Sequence, residues 1–313
     1  MDGGPGRVYR YHRLVPPPTL FPDPPLRDSQ ALAVPGGHVL QVQEFGRADG
    51  IPVVVLHGGP GSGCSPLLRR VFDPQRYRIV CPDQRGAGGS QPRGSTENNA
   101  TDDLLADLRR IREHLGIARW LVVGGSWGAT LALAHAAAEP GAVAALLLRA
   151  SFLARPQDVT AFFGALSLAD LAAGLNSPRA AEREQAALTW WRHEQALAGT
   201  ASAEPSSEAL AAQVDRLRVQ AHYLQHGCWL QSPTLLERCE AVPRVPTLLL
   251  HARDDRVCPP EGAELLQARL PGSRLEWVEQ GGHDAAHPAM LAAVIDALAR
   301  YADHGDFMLR SAA

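Results

Sequence analysis

No apolar run in this chain approaches the ~20 residues that a membrane-spanning helix needs. Met1 to Pro25 lacks the charged-then-apolar pattern of a secretory signal and is rich in proline and glycine instead. Cysteines are scarce: Cys64, Cys81, Cys228, Cys239 and Cys258 are odd in number, scattered, and never form a C-x-x-C pair. That excludes a disulfide framework and a zinc site, and it suits a reducing compartment. A charge excess is missing too, since 30 basic residues face 33 acidic ones for a net charge of −3. With no basic block, nucleic acid is not an expected partner. The composition that remains, 45% hydrophobic and 20% charged, excludes a disordered or fibrous chain. The expectation is a soluble cytoplasmic protein of 313 residues, built as one large domain or as a core with an insertion.

Short apolar runs recur along the chain. Val39–Phe45 alternates apolar and polar residues, as a half-buried strand does. Pro52–Leu56 is continuous and β-branched, the mark of a strand covered on both faces. Similar runs stand at Arg78–Cys81, Trp120–Val123, Ala145–Leu148, Thr247–Leu250 and Leu275–Val278. Between them lie helical patterns, with Leu104, Leu105, Leu108, Ile111 and Leu115 on one face and Thr101 or Asp102 as the expected cap. Leu291, Val294, Ile295, Leu298 and Tyr301 mark another helix. This alternation predicts an α/β fold, a mostly parallel sheet flanked by helices. From about Phe152 to Glu240 the pattern turns wholly helical, which predicts a cap (152–240) inserted after the sixth strand region. The core is then 31–151 and 241–313. Residues 1–30, broken by Pro16–Pro18 and Pro24-Pro25, are expected to be a loosely structured lead-in.

Gly124-Gly125-Ser126-Trp127-Gly128 follows one of these strands and opens a helix. Strand, G-x-S-x-G and helix together make a nucleophile elbow, in which glycines permit a turn too tight for side chains. A serine nucleophile needs a base, and the base needs an orienter. Asp254 and Asp255 follow one strand and His283 follows the next, in the order Ser, acid, His that this architecture requires. Both positions fall past the C-terminal ends of strands, where ligands collect in open α/β sheets. His57-Gly58-Gly59-Pro60-Gly61 lets backbone approach the substrate carbonyl and offer an N–H to a developing oxyanion. The N–H of Trp127, next after the nucleophile, is the second donor. A phosphate loop is excluded, because neither a G-K-[ST] ending nor G-x-G-x-x-G spacing is present.

Taken together, HGGPG at 57–61, Asp83-Gln84-Arg85-Gly86 and GGSWG at 124–128 resemble the proline iminopeptidases. The likeness extends through Phe72-Asp73-Pro74, Tyr77–Val80, Asn98-Asn99, Arg112–Gly116, Leu148-Arg149 and Arg253–Pro259, covering about residues 35 to 300. It implies an α/β-hydrolase that removes N-terminal proline from small peptides, without metal or cofactor. Residue by residue it implies Ser126 as nucleophile, Asp255 as the acid, His283 as the base, and Gly59 and Trp127 as oxyanion donors. Asp83 to Gly86 is expected to shape the loop beside the site.

The cap departs from the family pattern. W-x-x-W-E reads Trp190-Trp191-Arg192-His193-Glu194, which keeps the glutamate. E-x-H-Y-F reads Gln220-Ala221-His222-Tyr223-Leu224, so the second glutamate has become an uncharged amide. Ala252 and Asp254 replace a family glycine and tyrosine. Expected substrate-binding residues are Glu194, Gln220, Tyr223, Phe152 and Gly58. The altered cap keeps an esterase, amidase or lactonase open as an alternative, and a ligand-binding protein without turnover as a third. A serine at position 126 excludes dehalogenases and epoxide hydrolases, which use a carboxylate nucleophile.

Overall fold

Each apolar run expected to be a strand is one. The computed structural model describes residues 8–9, 19–199 and 203–307. Its strands are β1 (Val8–Tyr9), β2 (Leu26–Val34), β3 (His38–Gly46), β4 (Ile51–Leu56), β5 (Tyr77–Pro82), β6 (Trp120–Gly125), β7 (Val143–Arg149), β8 (Thr247–Ala252) and β9 (Arg274–Val278). In space they form one nine-stranded sheet in the order β1-β9-β8-β7-β6-β4-β5-β3-β2. Among the described residues, only the β2–β3 and β3–β5 strand pairings are antiparallel.

Helices cover both faces: α1 (Pro66–Arg69), α2 (Thr101–His114), α3 (Trp127–Ala138), α4 (Pro156–Phe163), α5 (Leu168–Leu175), α6 (Ala180–Ala198), α7 (Ser207–Gln225), α8 (Leu235–Arg238), α9 (Glu261–Arg269) and α10 (Pro288–His304). Successive residues of a strand point to opposite faces, and this sheet has no solvent face in its centre. Val54, Leu56, Val122 and Leu148 pack towards α2 and α3, while Val53, Val55, Leu121 and Leu147 pack towards α10. That is why these segments read as unbroken apolar runs.

β2 corrects the expected lead-in, since it begins at Leu26, inside residues 1–30. Its polar residues cluster at Arg27–Gln30 instead of alternating with apolar ones, and most of the strand is exposed, so it carries no periodic signal. Antiparallel pairing with β3 supplies its backbone hydrogen bonds instead. Pro16–Pro18 lies outside the described residues. The cap helices α4 to α8 follow the seventh strand in chain order, and not the sixth. They have their own core, in which Trp190 meets Phe163 edge-on at 4.9 Å beside Leu171, Leu175 and Leu217. No single described helix is long and apolar enough to cross a membrane.

The expected cap of α2 is also corrected. The helix starts after Ala100, and Thr101 is fully buried with its hydroxyl donating to the Cys228 carbonyl at 2.6 Å. A tertiary acceptor has outcompeted the local one. Asp103 takes the free Ala100 N–H at 2.9 Å in its place.

His135 on α3 is fully buried and accepts the indole N–H of Trp120 at 3.2 Å, which requires a neutral ring. Burial pushes its pKa down from 6.5 to about 4. The unfolded chain therefore binds the extra proton first. Stability contributed by the neutral ring is full above pH 6.5 and falls as pH drops towards 4, by up to about 3 kcal/mol. Urea unfolding at stepped pH should show wild type losing its advantage over His135→Gln across that window. A constant difference would refute the assignment.

Candidate active site

The elbow joins β6 to α3 with Ser126 at φ 56°, ψ −125°, a left-handed conformation that L side chains rarely adopt. The flanking glycines are a steric necessity. A Cβ on Gly124 would lie 2.2 Å from the Gly128 carbonyl oxygen, and one on Gly128 would lie 2.0 Å from that of Leu56. Only hydrogen at both positions lets β4, β6 and α3 converge this closely. The turn also leaves Ser126 at the N-terminus of α3, where helix N–H groups favour developing negative charge.

Asp255 follows β8 and His283 follows β9. Asp255 Oδ2 accepts from His283 Nδ1 at 2.8 Å. Its other oxygen is held by the backbone N–H groups of Val257 (2.9 Å) and Cys258 (2.8 Å). Burial works against the Asp255 charge, but the hydrogen bond and charge of His283 and the Cys258 N–H outweigh it, so its pKa falls below the ordinary carboxylate value. Asp254 faces away from His283 Nδ1 and accepts the N–H of Gly282 at 2.9 Å, pinning the loop that carries the histidine. The two adjacent aspartates thus divide into an orienter of the ring and an anchor of its loop. His251, which the sequence did not flag, lies under Asp255 at 3.8 Å, and burial lowers its pKa.

The glycine loop after β4 is fixed from below. Gln84 N–H donates to His57 Nε2 at 3.1 Å, so Nδ1 carries the ring proton and donates to the Gly58 carbonyl at 2.9 Å. The Gln84 side chain bridges the loop to the elbow, giving its N–H to the His57 carbonyl (3.0 Å) and accepting the Trp127 indole N–H (2.8 Å). Asp83 holds the Cys64 and Gly89 N–H groups at 2.6 and 2.8 Å. Arg85 forms a buried fork with Asp107 at 2.6 and 2.8 Å. This segment shapes the loop, as expected, and Gln84 is its positioning residue. Gln84→Leu should lower kcat roughly 10- to 100-fold with KM nearly unchanged, because the donors shift relative to the oxyanion. Steady-state kinetics with an unchanged kcat would remove Gln84 from that role.

Two cavities meet at Ser126. The larger, about 520 Å³, is lined by Gly58, Gly59, Ser126, His283, Glu194 and Gln220, among others. The smaller, about 50 Å³, is closed by Phe152, Val159, Phe162, Phe163 and Leu224, and also touches Gly59, Ser126 and Gln220. The sequence therefore brings Ser126, His283, Gly58, Gly59, Glu194, Gln220 and Phe152 to one place. It does not bring Tyr223, which lines neither cavity. Tyr223 is wholly buried, its ring edge-on to Trp127 at 4.9 Å and its hydroxyl donating to Asn99 Oδ1 at 2.8 Å. Its position braces the elbow against α7. Sequence reasoning named Arg149 only within the family likeness and missed Phe162 and Arg216; all three line the larger cavity. Arg216 stands one turn before Gln220 on α7, and that i, i+4 spacing was its one available signal.

A parallel sheet with an elbow, an acid–histidine pair at adjacent strand ends and a helical cap between β7 and β8 defines an α/β-hydrolase. The family model described as alpha/beta hydrolase fold matches residues 51–288. A probable proline iminopeptidase of Leptolyngbya boryana is 34% identical over 90% of this chain and 96% of its own. A proline iminopeptidase of Xylella fastidiosa is 36% identical over 88% and 97%. The chain belongs to the proline iminopeptidase family. An esterase of Rhodococcus sp. ECU1013 shares the fold, with a TM-score of 0.64 at 20% identity over 89% of this chain and 98% of its own.

Proposed function

We propose that this protein is a serine exopeptidase that releases N-terminal proline from small peptides through an acyl-enzyme. His283 Nε2 takes the Ser126 proton as Oγ attacks the prolyl carbonyl carbon, and Asp255 stabilises the resulting imidazolium. The N–H groups of Gly59 and Trp127 receive the oxyanion. Collapse breaks the peptide bond, and His283 returns the proton to the departing amine. Water, deprotonated by the same histidine, then attacks the acyl ester and frees proline and Ser126. Glu194 and Gln220, bridged by Arg216, face the imino end, while Phe152 and its apolar neighbours pack the pyrrolidine ring.

The observation that carries this reading is the pairing of cavities at Ser126: a small apolar pocket beside a larger polar one that holds a carboxylate. A short, compact acyl group with a polar nitrogen matches that division. Residues 152–240 act as the specificity cap over a core of 31–151 and 241–313. The five free cysteines fit a cytoplasmic location. The second reading, an esterase, amidase or lactonase, is favoured by the uncharged Gln220. Purified protein should release arylamine from L-prolyl arylamide. Turnover of simple aryl esters without prolyl release would establish the second reading and reject the first.

A further inference from the structure

Glu194 is already engaged. Its Oε1 accepts the Trp190 indole N–H at 3.1 Å, and its Oε2 lies 2.6 Å from an Arg216 guanidinium nitrogen. That guanidinium is held on two further sides, donating to Gln220 Oε1 at 3.1 Å and to Gln213 Oε1 at 2.7 Å. The pair is mostly shielded from water, with side-chain exposures of 19% and 23%. The remaining acid of the cavity, Asp284, is exposed and accepts the Ala286 N–H at 2.8 Å. On the opposite wall Arg149 lies against Gly125, and its hydrogen-bond acceptor is the His283 carbonyl at 3.5 Å. Among the described residues no carboxylate reaches it at ion-pair distance, although the charges of Asp255 and Asp284 act on it. Two guanidiniums, the internally matched Glu194 and the exposed Asp284 therefore line the larger cavity. A cationic amine entering it must displace Arg216 to reach Glu194.

We propose that Arg216 is the specificity-determining residue for charge: by holding Glu194 in an internal ion pair, it makes the site accept a five-membered acyl group whose nitrogen is uncharged or absent as readily as a cationic prolyl group. This rests on the reading that a prolyl-sized acyl group binds beside Ser126. The substrate class widens accordingly to prolyl groups and their neutral ring analogues.

The test compares two arylamides with one leaving group, L-prolyl and cyclopentanecarbonyl, which share ring size and differ in the charged nitrogen. Wild type should hydrolyse both with kcat/KM within about threefold of each other. Arg216→Met and Arg216→Gln each free Glu194 and should shift the ratio roughly tenfold towards the prolyl substrate, through KM rather than kcat. Adding Glu194→Gln to Arg216→Met should return the ratio to the wild-type value. Fluorophosphonate labelling of Ser126 reports that each variant is folded. A wild-type preference for prolyl above about 30-fold, or a ratio unmoved in both single variants, overturns the Arg216 role and leaves proline release standing. If labelled enzyme cleaves neither amide, the proline reading falls and this inference with it.

Discussion

Ser126→Ala is expected to lower kcat by about 10⁶, with substrate affinity nearly unchanged. The size follows from the role. Without Oγ no acyl-enzyme forms, and the oxyanion donors and substrate binding alone supply the small residue of catalysis. Because nucleophile, base and orienter act as a unit, His283→Ala added to Ser126→Ala should cost little more. The serine also sits at φ 56°, a conformation held against its own preference. Such strain is worth on the order of 1–3 kcal/mol, so Ser126→Gly should raise the unfolding temperature while abolishing activity. Mass spectrometry after fluorophosphonate treatment should show one adduct on wild type and none on either variant. A variant retaining more than about 1% of activity would place the nucleophile elsewhere.

Asp255→Asn should reduce kcat by about 10⁴ without disturbing the fold. The Asn carbonyl oxygen can still receive the N–H groups of Val257 and Cys258, which orient that side chain. Its NH₂ then faces His283 Nδ1 and forces that nitrogen to accept. The ring proton moves to Nε2, where it blocks removal of the serine proton. The change also predicts a pH signature. The Asp255 pKa is depressed, so its contribution to stability is present above the unfolded carboxylate value and is lost as pH falls through the folded one. Wild type should lose more stability on acidification than Asp255→Asn, read from unfolding midpoints between about pH 5 and 2. Near-wild-type kcat for Asp255→Asn would show that the carboxylate does not set the tautomer.

The strands and the elbow were legible for physical reasons. A parallel sheet covered on both faces demands unbroken apolar segments, so Pro52–Leu56 and Thr247–Leu250 announce themselves. Gly124 and Gly128 are legible because no other side chain fits where they stand. Segments whose stability comes from partners distant in sequence were not legible. β2 is a mostly exposed edge strand without apolar alternation, and Thr101 abandons its local capping role for the Cys228 carbonyl. Tyr223 sits within the cap motif that suggested substrate contact, yet helix α7 turns it inward against Trp127.

By itself, then, the sequence determined where the candidate catalytic groups stand: the serine at a turn only glycine can flank, and the aspartate and histidine in order at strand ends. Those signals are local, because backbone sterics and strand periodicity act over a few residues. Tertiary structure alone decided what the site meets. Glu194 on α6 and Arg216 on α7 come from different helices, and no spacing reveals that they share a proton-bridged contact of 2.6 Å. The charge a substrate encounters depends on which side chains converge across a cavity, and that convergence is set by packing between elements rather than within them.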